Sequence, residues 1–500
     1  MPTLKIVAGA DATELTTLQP MLVSTVQRVN TIPSATLLLS VEGNALDALG
    51  HCDEEVILCK PGNGITIEVE REGKWELLFD GVVVEQSLKL LKSSAQLVLV
   101  IKHRLALLDS TCVSRVFSDE SANNIISGLL DEQGLKSVNQ AEMNTKQEQL
   151  VQYCCSNWLY VRRLVDESAA WLLPDFEEVR IVMPTLGGVP DHTLKSNEVN
   201  RQSDSEAEGK ASIFEANWGF GDRYQPEELW LSAWDITKQD LIVAMATPEN
   251  LGKDALNPAA QKPLSKATWV IGSSTSVTQE KLNGLAQSTL QHLQDAGVLG
   301  EFQVRGSTSY KLGQTLALSE FGEGFDGSGI ITAVSHTVDK ALWKTVISLG
   351  MKGGGGGMTS LPHVRGLQVG VVAEFQDDPN DLSRVRVSLP ALGKDDNTVW
   401  ARLAMPYASG DGGFNFYPNE GDEVVIDFFN DDPCFPVIIG SMYNPINEPL
   451  VKASKENNLK GIAFNNKKMQ IQFDTESESA LLNAKAGVEV EADEIKLTTK

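Results

Sequence analysis

Residues 418–445 read PNEGDEVVIDFFNDDPCFPVIIGSMYNP, and this stretch decides the class of fold. It contains two runs rich in β-branched and aromatic residues, Glu423–Phe429 and Val437–Met442. Asn, Asp and Pro residues, which favour turns, separate the two runs. Short runs of this composition with turn residues between them predict β-strands. The stretch therefore predicts two consecutive strands of an all-β domain.

The same pattern extends upstream and defines a small domain. Three further runs of strand composition precede the quoted stretch, with Gly, Pro and Asn residues between them. They are Gln368–Glu374, Ser383–Leu389 and Val399–Ala404. Five short strands in about 80 residues fit a small Greek-key barrel of the OB type. We predict an OB-fold domain over residues 367–447.

Five consecutive glycines, Gly353–Gly357, mark a boundary before this barrel. The interior of a helix or strand does not tolerate such a run, because each glycine loses much conformational freedom on folding. Glycine-rich segments behave as flexible linkers. Residues 351–366 are therefore predicted to be a linker that follows a separate region, residues 1–350.

Region 1–350 is predicted to consist mostly of strands with helices inserted between them. Helical patterning occurs in Ser121–Gln133, Leu150–Ala170 and Thr278–Ala296. The predicted strands are Ala35–Val41, Gly64–Glu70, Trp75–Val84, Ala95–Ile101, Phe302–Val304 and Gly329–Val338.

The last segment, residues 448–500, alternates apolar and polar residues with a period of two. Such alternation predicts short strands with one apolar face. The segment has no helix-like stretch and too little bulk to cover that face by itself. We therefore predict that other copies of the same chain cover it. The apolar residues of this pattern are Met469, Ile471, Phe473, Val488, Val490, Ala492, Ile495 and Leu497.

The composition is that of a globular protein with a strongly acidic balance. The formal charge is 42 − 67 = −25, so nucleic acid and anionic membranes are not expected as resting partners. Six cysteines in 500 residues are sparse, and reduced thiols are the expected state, including the adjacent Cys154 and Cys155 in a helical-looking context. The N-terminus lacks a basic stretch followed by an apolar run, which predicts cytoplasmic synthesis without a signal peptide.

Two motifs raise the question of a cofactor or metal. Residues 322–327, GEGFDG, match the glycine spacing of dinucleotide-binding loops, but the following residues predict a strand where that fold needs a helix. A tight surface loop is the favoured interpretation. His51, Cys52 and Cys59 come closest to a metal cluster, yet they lack a second pair at matching spacing. A half-buried loop with thiols is favoured there.

Acidic pairs and aromatic residues near the barrel also receive a structural interpretation. The pairs Asp377-Asp378 and Asp431-Asp432 could act as general acid and base, but they lie in predicted turns, where Asp favours bends. The aromatic residues could stack on nucleotide bases, but no Lys or Arg alternates with them, so core or interface packing is favoured. We predict no catalytic, cofactor-binding or metal-binding residue, and no enzyme activity. The aromatic residues are Phe414, Phe416, Tyr417, Phe428 and Phe429.

Residues 418–428 and 431–445 closely resemble the OB-domain signature of VgrG-type spike proteins. These proteins form the trimeric central hub and spike of type VI secretion systems, contractile phage tails and extracellular contractile injection systems. Arg384–Pro390, Trp400–Ala404 and Gly410–Phe414 fit the same pattern in order.

Two further stretches, Trp158–Val165 and Gly329–His336, resemble the hub portion of that family more loosely. The resemblance therefore spans essentially the whole chain. It implies a mainly β fold in which residues 1–350 form a hub with two related β-barrels and helical insertions. Three chains would present six barrels to a hexameric inner tube. Residues 448–500 would intertwine as a short three-chain β-prism.

The resemblance also implies a function, as a homotrimeric structural spike-hub. It would connect the hexameric inner-tube protein to a separate PAAR-type tip protein, contact baseplate components, and carry the tip or effector cargo. As part of an assembled injection particle, it would pierce the target envelope when the sheath contracts. It would meet a membrane only at that moment. Thr498, Thr499 and Lys500 would contact the tip protein. The trimer axis would be lined by Met469, Ile471, Phe473, Val488, Val490, Ile495 and Leu497.

Two other functions remain open on the sequence alone. An envelope-degrading enzyme would need a carboxylate poised for acid–base chemistry. A glycan-binding baseplate module would bind surface sugars through a face of the OB barrel.

Overall fold

The computed structural model describes most of the chain and shows a mainly β fold, which confirms the predicted class. By its internal contacts the chain divides into two compact units. Unit 1 comprises Met1–Gly366, Ala391–Val399 and Phe428–Pro436, and unit 2 comprises Leu367–Pro390, Trp400–Asp427 and Val437–Lys500. The described residues are 2–41, 53–90, 95–199, 213–221, 226–247, 255–256, 267–322, 324–351, 360–393 and 397–498.

The first strands of unit 1 build one half of a large, mostly antiparallel sheet. They alternate buried and half-buried residues because successive side chains of a strand point to opposite faces. Leu97, Leu99 and Ile101, for example, are buried in a core shared with the neighbouring strands. In chain order the elements are β1 (Leu4–Ala8), β2 (Thr13–Glu14), β3 (Gln19–Arg28), β4 (Ser34–Val41), α1 (Asp53–Leu58), β5 (Gly64–Arg71), β6 (Lys74–Leu90) and β7 (Ala95–Lys102).

The next part of unit 1 packs two small sheets and two helices around a separate apolar core. Its elements are β8 (Val113–Ser121), α2 (Ala122–Asp131), β9 (Ser137–Asn139), β10 (Lys146–Cys155), α3 (Asn157–Glu167), β11 (Trp171–Pro174) and β12 (Val179–Val182). Strand β8 pairs with β10, and β12 lies between β11 and β9. The hydroxyl of Ser121 caps α2 and that of Ser156 caps α3, each accepting a backbone N–H of the first turn, which fixes where the helices begin.

The remaining strands of unit 1 complete the large sheet and add a separate one. They are β13 (His192–Lys195), β14 (Ile213–Phe220), β15 (Glu228–Asp235), β16 (Asp240–Ala246), β17 (Thr268–Ser273), β18 (Val298–Arg305), β19 (Thr315–Ser319), β20 (Gly327–Asp339) and β21 (Trp343–Leu349), with helix α4 (Gln279–Gln294) after β17. Antiparallel pairing of β20 with β3 joins the two halves of the large sheet. The two halves of this sheet are β1–β7 and the strands around β18–β21. The resemblance implies one barrel for each half, and this remains a prediction.

Strands β15, β16 and β17 form a three-stranded sheet that is covered on one face by α4. Leu282, Ala286 and Leu290 of the helix pack against Leu229 and Ala244 of the sheet. Thr278 caps the helix, accepting the N–H of Lys281, so the amphipathic helix predicted over Thr278–Ala296 is confirmed.

Five strands after residue 366 close into a barrel, which confirms the predicted OB-type domain. The strands of this part are β22 (Gln368–Val372), β23 (Val385–Ser388), β24 (Thr398–Leu403), β25 (Ala408–Ser409), β26 (Gly412–Gly413), β27 (Glu423–Phe428) and β28 (Pro436–Ser441). The barrel follows the order β22-β23-β24-β28-β27, and β25 pairs with β26 beside it. Val387, Val424 and Ile426 are buried in its interior.

The C-terminal strands form an antiparallel three-stranded sheet of their own. They are β29 (Leu459–Phe464), β30 (Met469–Asp474) and β31 (Ser479–Ala484). The strand predicted around Met469, Ile471 and Phe473 is therefore confirmed. Residues 485–498 pair with no strand in the described part of the single chain, so the strands at Val488–Ala492 and Ile495–Leu497, which were predicted to pack against other copies, stay a prediction.

Two other local predictions need correction or fall outside the described residues. The helix predicted over Leu150–Ala170 is confined to α3, and Leu150–Cys155 belongs to β10. Because Ser156 caps the helix, the helical pattern cannot extend upstream, and Cys154 has a left-handed φ of 43° at the end of the strand. The linker predicted over residues 351–366 includes residues 352–359, which lie outside the description.

A buried histidine lies at the junction between the two halves of the large sheet. His336 of β20 is opposite Thr25 of β3 and Thr345 of β21. Its Nδ1 is 3.0 Å from the Thr345 hydroxyl oxygen. Burial lowers the pKa of His336 to about 4, so the ring is neutral in the folded protein.

We expect this histidine to make the protein less stable in mild acid. The unfolded chain takes up a proton near the ordinary pKa of 6.5, whereas the folded protein does so only near 4. The stabilising contribution of the neutral ring is therefore fully present above pH 6.5. The free energy of unfolding falls as the pH drops, by about 2 kcal/mol between pH 7 and pH 5. Urea unfolding of the protein and of His336→Gln at both pH values measures this difference.

The exposed His363 supplies a matched control. His363→Gln should keep the full loss of stability between pH 7 and pH 5, and His336→Gln should reduce it. Equal pH dependence in both variants would contradict the assignment of a buried neutral ring.

Candidate functional site

The C-terminal sheet carries an apolar face whose composition follows from its strand register. Ile471 lies opposite Ile462 on one side and Leu482 on the other, and Met469 lies opposite Phe464. Directly opposed residues of antiparallel strands project from the same face. We call this surface the tail face; its large apolar residues are Ile462, Phe464, Met469, Ile471, Phe473 and Leu482, and Lys460, opposite Phe473, lies at its edge.

The tail face is uncovered in the single chain. Its six large apolar side chains are between 46% and 59% exposed. The opposite face of the same strands is mostly polar, with Gln470, Gln472 and Asn483, and it includes two leucines, Leu459 and Leu481. Large apolar side chains gathered on one exposed face mark an interaction surface, whereas single exposed ones do not.

Polar turns fix the register of this sheet. Asn465, Asn466 and Lys467 take left-handed φ values between β29 and β30, a conformation that Asn tolerates well. After β30, the carboxylate of Asp474 accepts the N–H groups of Glu476 and Ser477, and these hydrogen bonds lower its pKa. Because a slip by one residue would turn every apolar side chain to the polar face, these turns decide which residues form the tail face.

Aromatic residues of the barrel region extend the tail face within unit 2. The ring of Phe416 stacks on that of Phe464, with centroids 5.8 Å apart. Phe414 lies 5.7 Å from Phe416, and both rings are exposed. Phe428, by contrast, is buried. The predicted aromatic cluster is therefore divided between the buried Phe428 and the exposed Phe414 and Phe416.

The structure brings together only some of the predicted axis residues. Met469, Ile471 and Phe473 share the tail face, whereas Val488, Val490, Ile495 and Leu497 are exposed outside any strand. Of the predicted tip contacts, Thr498 is exposed, and Thr499 and Lys500 lie outside the described residues. Sequence reasoning missed Ile462, Phe464 and Leu482, although the spacing of Ile462 and Phe464 by two residues was a signal for them.

The acidic pairs considered for acid–base chemistry hold turns together. Asp378 accepts Nη2 of Arg384 at 2.6 Å and Nε of the same residue at 3.0 Å. These hydrogen bonds hold the pKa of Asp378 well below its usual value, which makes it a poor general acid. Asp432 accepts the backbone N–H of Cys434 at 2.9 Å.

The GEGFDG segment is a loop that leads into a strand. The carbonyl of Gly322 accepts the N–H groups of Phe325 and Asp326, and Gly322 has a φ of 115°. The chain then enters β20 at Gly327, where a dinucleotide site needs a helix. The surface-loop interpretation is therefore confirmed for the described part of the segment, which excludes residue 323.

The described cysteines are free thiols with different exposure. Burial raises the pKa of Cys59 to about 12 and that of Cys155 to about 11. Cys112 and Cys154 are exposed. His51 and Cys52 lie outside the description, and the described residues contain no group of three or more His, Cys, Asp or Glu placed to hold a metal ion. Among the same residues, no helix is both long and apolar enough to span a membrane.

The OB barrel matches a known domain family. Residues 368–443 match the family described as the type VI secretion system/phage-baseplate injector OB domain. By this match and by the mainly β region before the barrel, the chain is similar to VgrG-type spike proteins. Residues 2–340 match the family described as the Alg8 N-terminal domain. Because that match covers more than half of the chain, the protein belongs to the Alg8 N-terminal domain family.

Solved structures show the same fold over most of the chain. A type VI secretion component from Escherichia coli, described as similar to the bacteriophage T4 tail proteins gp27 and gp5, has a TM-score of 0.54 at 13% identity. The likeness covers 88% of this chain and 100% of that one. A Francisella PdpA–VgrG complex in a half-lidded state has a TM-score of 0.59 at 10% identity, covering 96% and 83% of the two chains.

A curated relative matches over a shorter stretch. The actin cross-linking toxin VgrG1 of Vibrio cholerae is 28% identical over 95 residues, which is 18% of this chain and 9% of the toxin. The matched stretch is thus less than a tenth of that relative's length. Together, the matches show the fold of these secretion and tail proteins over most of the chain and an injector-type OB domain over residues 368–443.

The thiol environments lead to a direct chemical test. We expect N-ethylmaleimide to label Cys112 and Cys154 in the folded protein and to leave Cys59 and Cys155 unmodified. The thiolate is the reactive form, and a pKa of about 12 leaves about a thousandfold less thiolate at Cys59 than the ordinary value of 9.0. Peptide mass spectrometry before and after unfolding in urea measures both sets. Rapid labelling of Cys59 in the folded protein would contradict its burial.

Proposed function

We propose that the protein is the homotrimeric structural spike-hub of a contractile injection machine. Three chains bury their tail faces against one another and form a short β-prism. The hub region docks on the hexameric inner tube, and the C-terminal end carries a separate PAAR-type tip protein or cargo. Sheath contraction drives this assembly through the target envelope. The proposal adds the trimer, the tube, the tip and the piercing step to the baseplate role that the family supports.

The tail face is the single observation that carries this proposal. Covering a half-exposed side chain of this size contributes about 1 kcal/mol, so the six side chains supply about 6 kcal/mol per chain. This gain offsets the repulsion among chains that each carry a formal charge of −25. A sheet with one strongly apolar face is stable only when another layer covers that face.

The edges of the same sheet favour a closed assembly over an open one. Within the described part of the chain, β29 and β31 each pair on one side only, so each leaves a row of backbone groups available for pairing. Exposed edges promote open-ended association unless symmetry closes them. A three-fold arrangement lets every chain meet two neighbours and leaves no free end. Residues 485–498, which are unpaired in the single chain, would pair in this prism and line its axis through Val488, Val490, Ile495 and Leu497.

The proposed role is mechanical and requires no bond-making chemistry. The carboxylate of Asp378, considered for catalysis, is held by Arg384. The relatives are described as secretion and tail components. Force applied at the hub would pass through the prism to the tip protein at Thr498, Thr499 and Lys500.

A charge on the tail face should weaken the trimer. Ile471→Asp places a carboxylate where the proposed prism is dry, so the concentration at which half of the trimers dissociate should rise about a hundredfold or more. Sedimentation velocity over a dilution series measures the shift. Because Ile471 is exposed in the single chain, the variant should keep the circular dichroism spectrum of the original protein.

The neighbouring residue Gln472 provides the matched control, since it projects from the polar face of the same strand. Gln472→Asp should change the dissociation concentration by less than about threefold. Equal effects of the two variants would contradict the assignment of the tail face as the trimer contact.

A further inference from the structure

A second sheet, in unit 1, also has an apolar face that no other described residue covers. In the sheet of β15, β16 and β17, α4 covers Leu229, Leu231 and Ala233. The alternate residues of these strands project away from the helix. Met245 and Val270 flank Trp230, and Leu241 lies opposite Trp234. We call this surface the outer face; its residues are Glu228, Trp230, Ser232, Trp234, Leu241, Val243, Met245, Thr268, Val270 and Gly272.

The outer face is large enough to be one side of a protein interface. Met245 and Val270 are each 68% exposed, and Leu241 is 60% exposed. With the two tryptophans, the exposed apolar area is on the order of 500 Å², near the upper limit for a patch on a monomer. One side of a standard interface buries about 800 Å². The outer face thus provides the apolar centre of such an interface.

The charge pattern of the outer face favours a second copy of this chain as its occupant. The one charged residue of the described face is Glu228, whose carboxylate accepts the indole N–H of Trp230 at 3.1 Å. A basic partner would be matched by an acidic surface, and an anionic membrane by a basic one. A face with a single charge, already engaged by the indole of Trp230, lets two chains of formal charge −25 meet with little opposition of like charges.

We propose that the outer face of each chain packs against the next chain of the trimer. This inference rests on the proposed trimer, whose shared prism holds the three hubs at high effective concentration. At that concentration a contact of modest area suffices. Three-fold symmetry makes the contact head-to-tail, so the outer face lies against a different surface of its neighbour.

Photo-crosslinking of the full-length chain tests this contact. A benzoylphenylalanine in place of Met245 should join two chains, with the crosslinked peptide of the second chain outside residues 228–273. The same amino acid in place of Val189, which is 93% exposed in a loop, serves as the control and should give at most a tenth of that product. A trimer without an inter-chain crosslink at position 245 would overturn the inference. A particle of six chains, in which the crosslinks join residues 228–273 of one chain to residues 228–273 of another, would also overturn the inference.

A matched pair of charge variants separates this inference from the proposed function. Met245→Glu should raise the dissociation concentration of the trimer about tenfold, and Val189→Glu should leave it unchanged. If Ile471→Asp dissociates the trimer and Met245→Glu does not, the outer-face contact is wrong and the spike proposal stands. If the unmodified chain is monomeric, both are wrong.

Discussion

The large sheet of unit 1 depends on the antiparallel pairing of β3 with β20. Seven residue pairs, from Leu22–Asp339 to Arg28–Ala333, join strands that are about 300 residues apart in the chain. Closing so long a loop costs conformational entropy, and the buried side chains along these strands, including Val23 and Val338, offset that cost. Helices α2, α3 and α4 and the sheet of β15–β17 lie between the paired strands in sequence, so they are insertions supported by one continuous sheet.

An uncovered apolar face appears in two separate sheets, and the same physical argument applies to each. In the C-terminal sheet the polar turns fix which side chains share the face, and nothing in the described chain covers it. In the sheet of β15–β17, α4 covers one face and leaves Trp230 and Met245 exposed on the other. Apolar area of this kind is unfavourable in water, so each face has a reason to be covered in an assembly. A single chain is thus an incomplete unit of the structure.

Much of the fold could be predicted from local sequence patterns, whereas the long-range pairing of strands could not. The barrel strands, β4–β7 and α4 follow from periodicity and turn residues close in sequence. The pairing of β3 with β20 has no local signature, because nothing in either strand identifies its partner. In the candidate site, Ile471 and its strand were predictable, but Leu482 joins the tail face only through the register set by two turns. The outer face was missed because β16 is apolar on both sides, which hides the period of two.

The central claim is that three copies of the chain make one spike, and its most direct test is the mass of the unmodified full-length protein in solution. Sedimentation equilibrium over a range of micromolar concentrations should give a particle of three times 54.3 kDa. A single species of 54.3 kDa at every concentration would contradict the account.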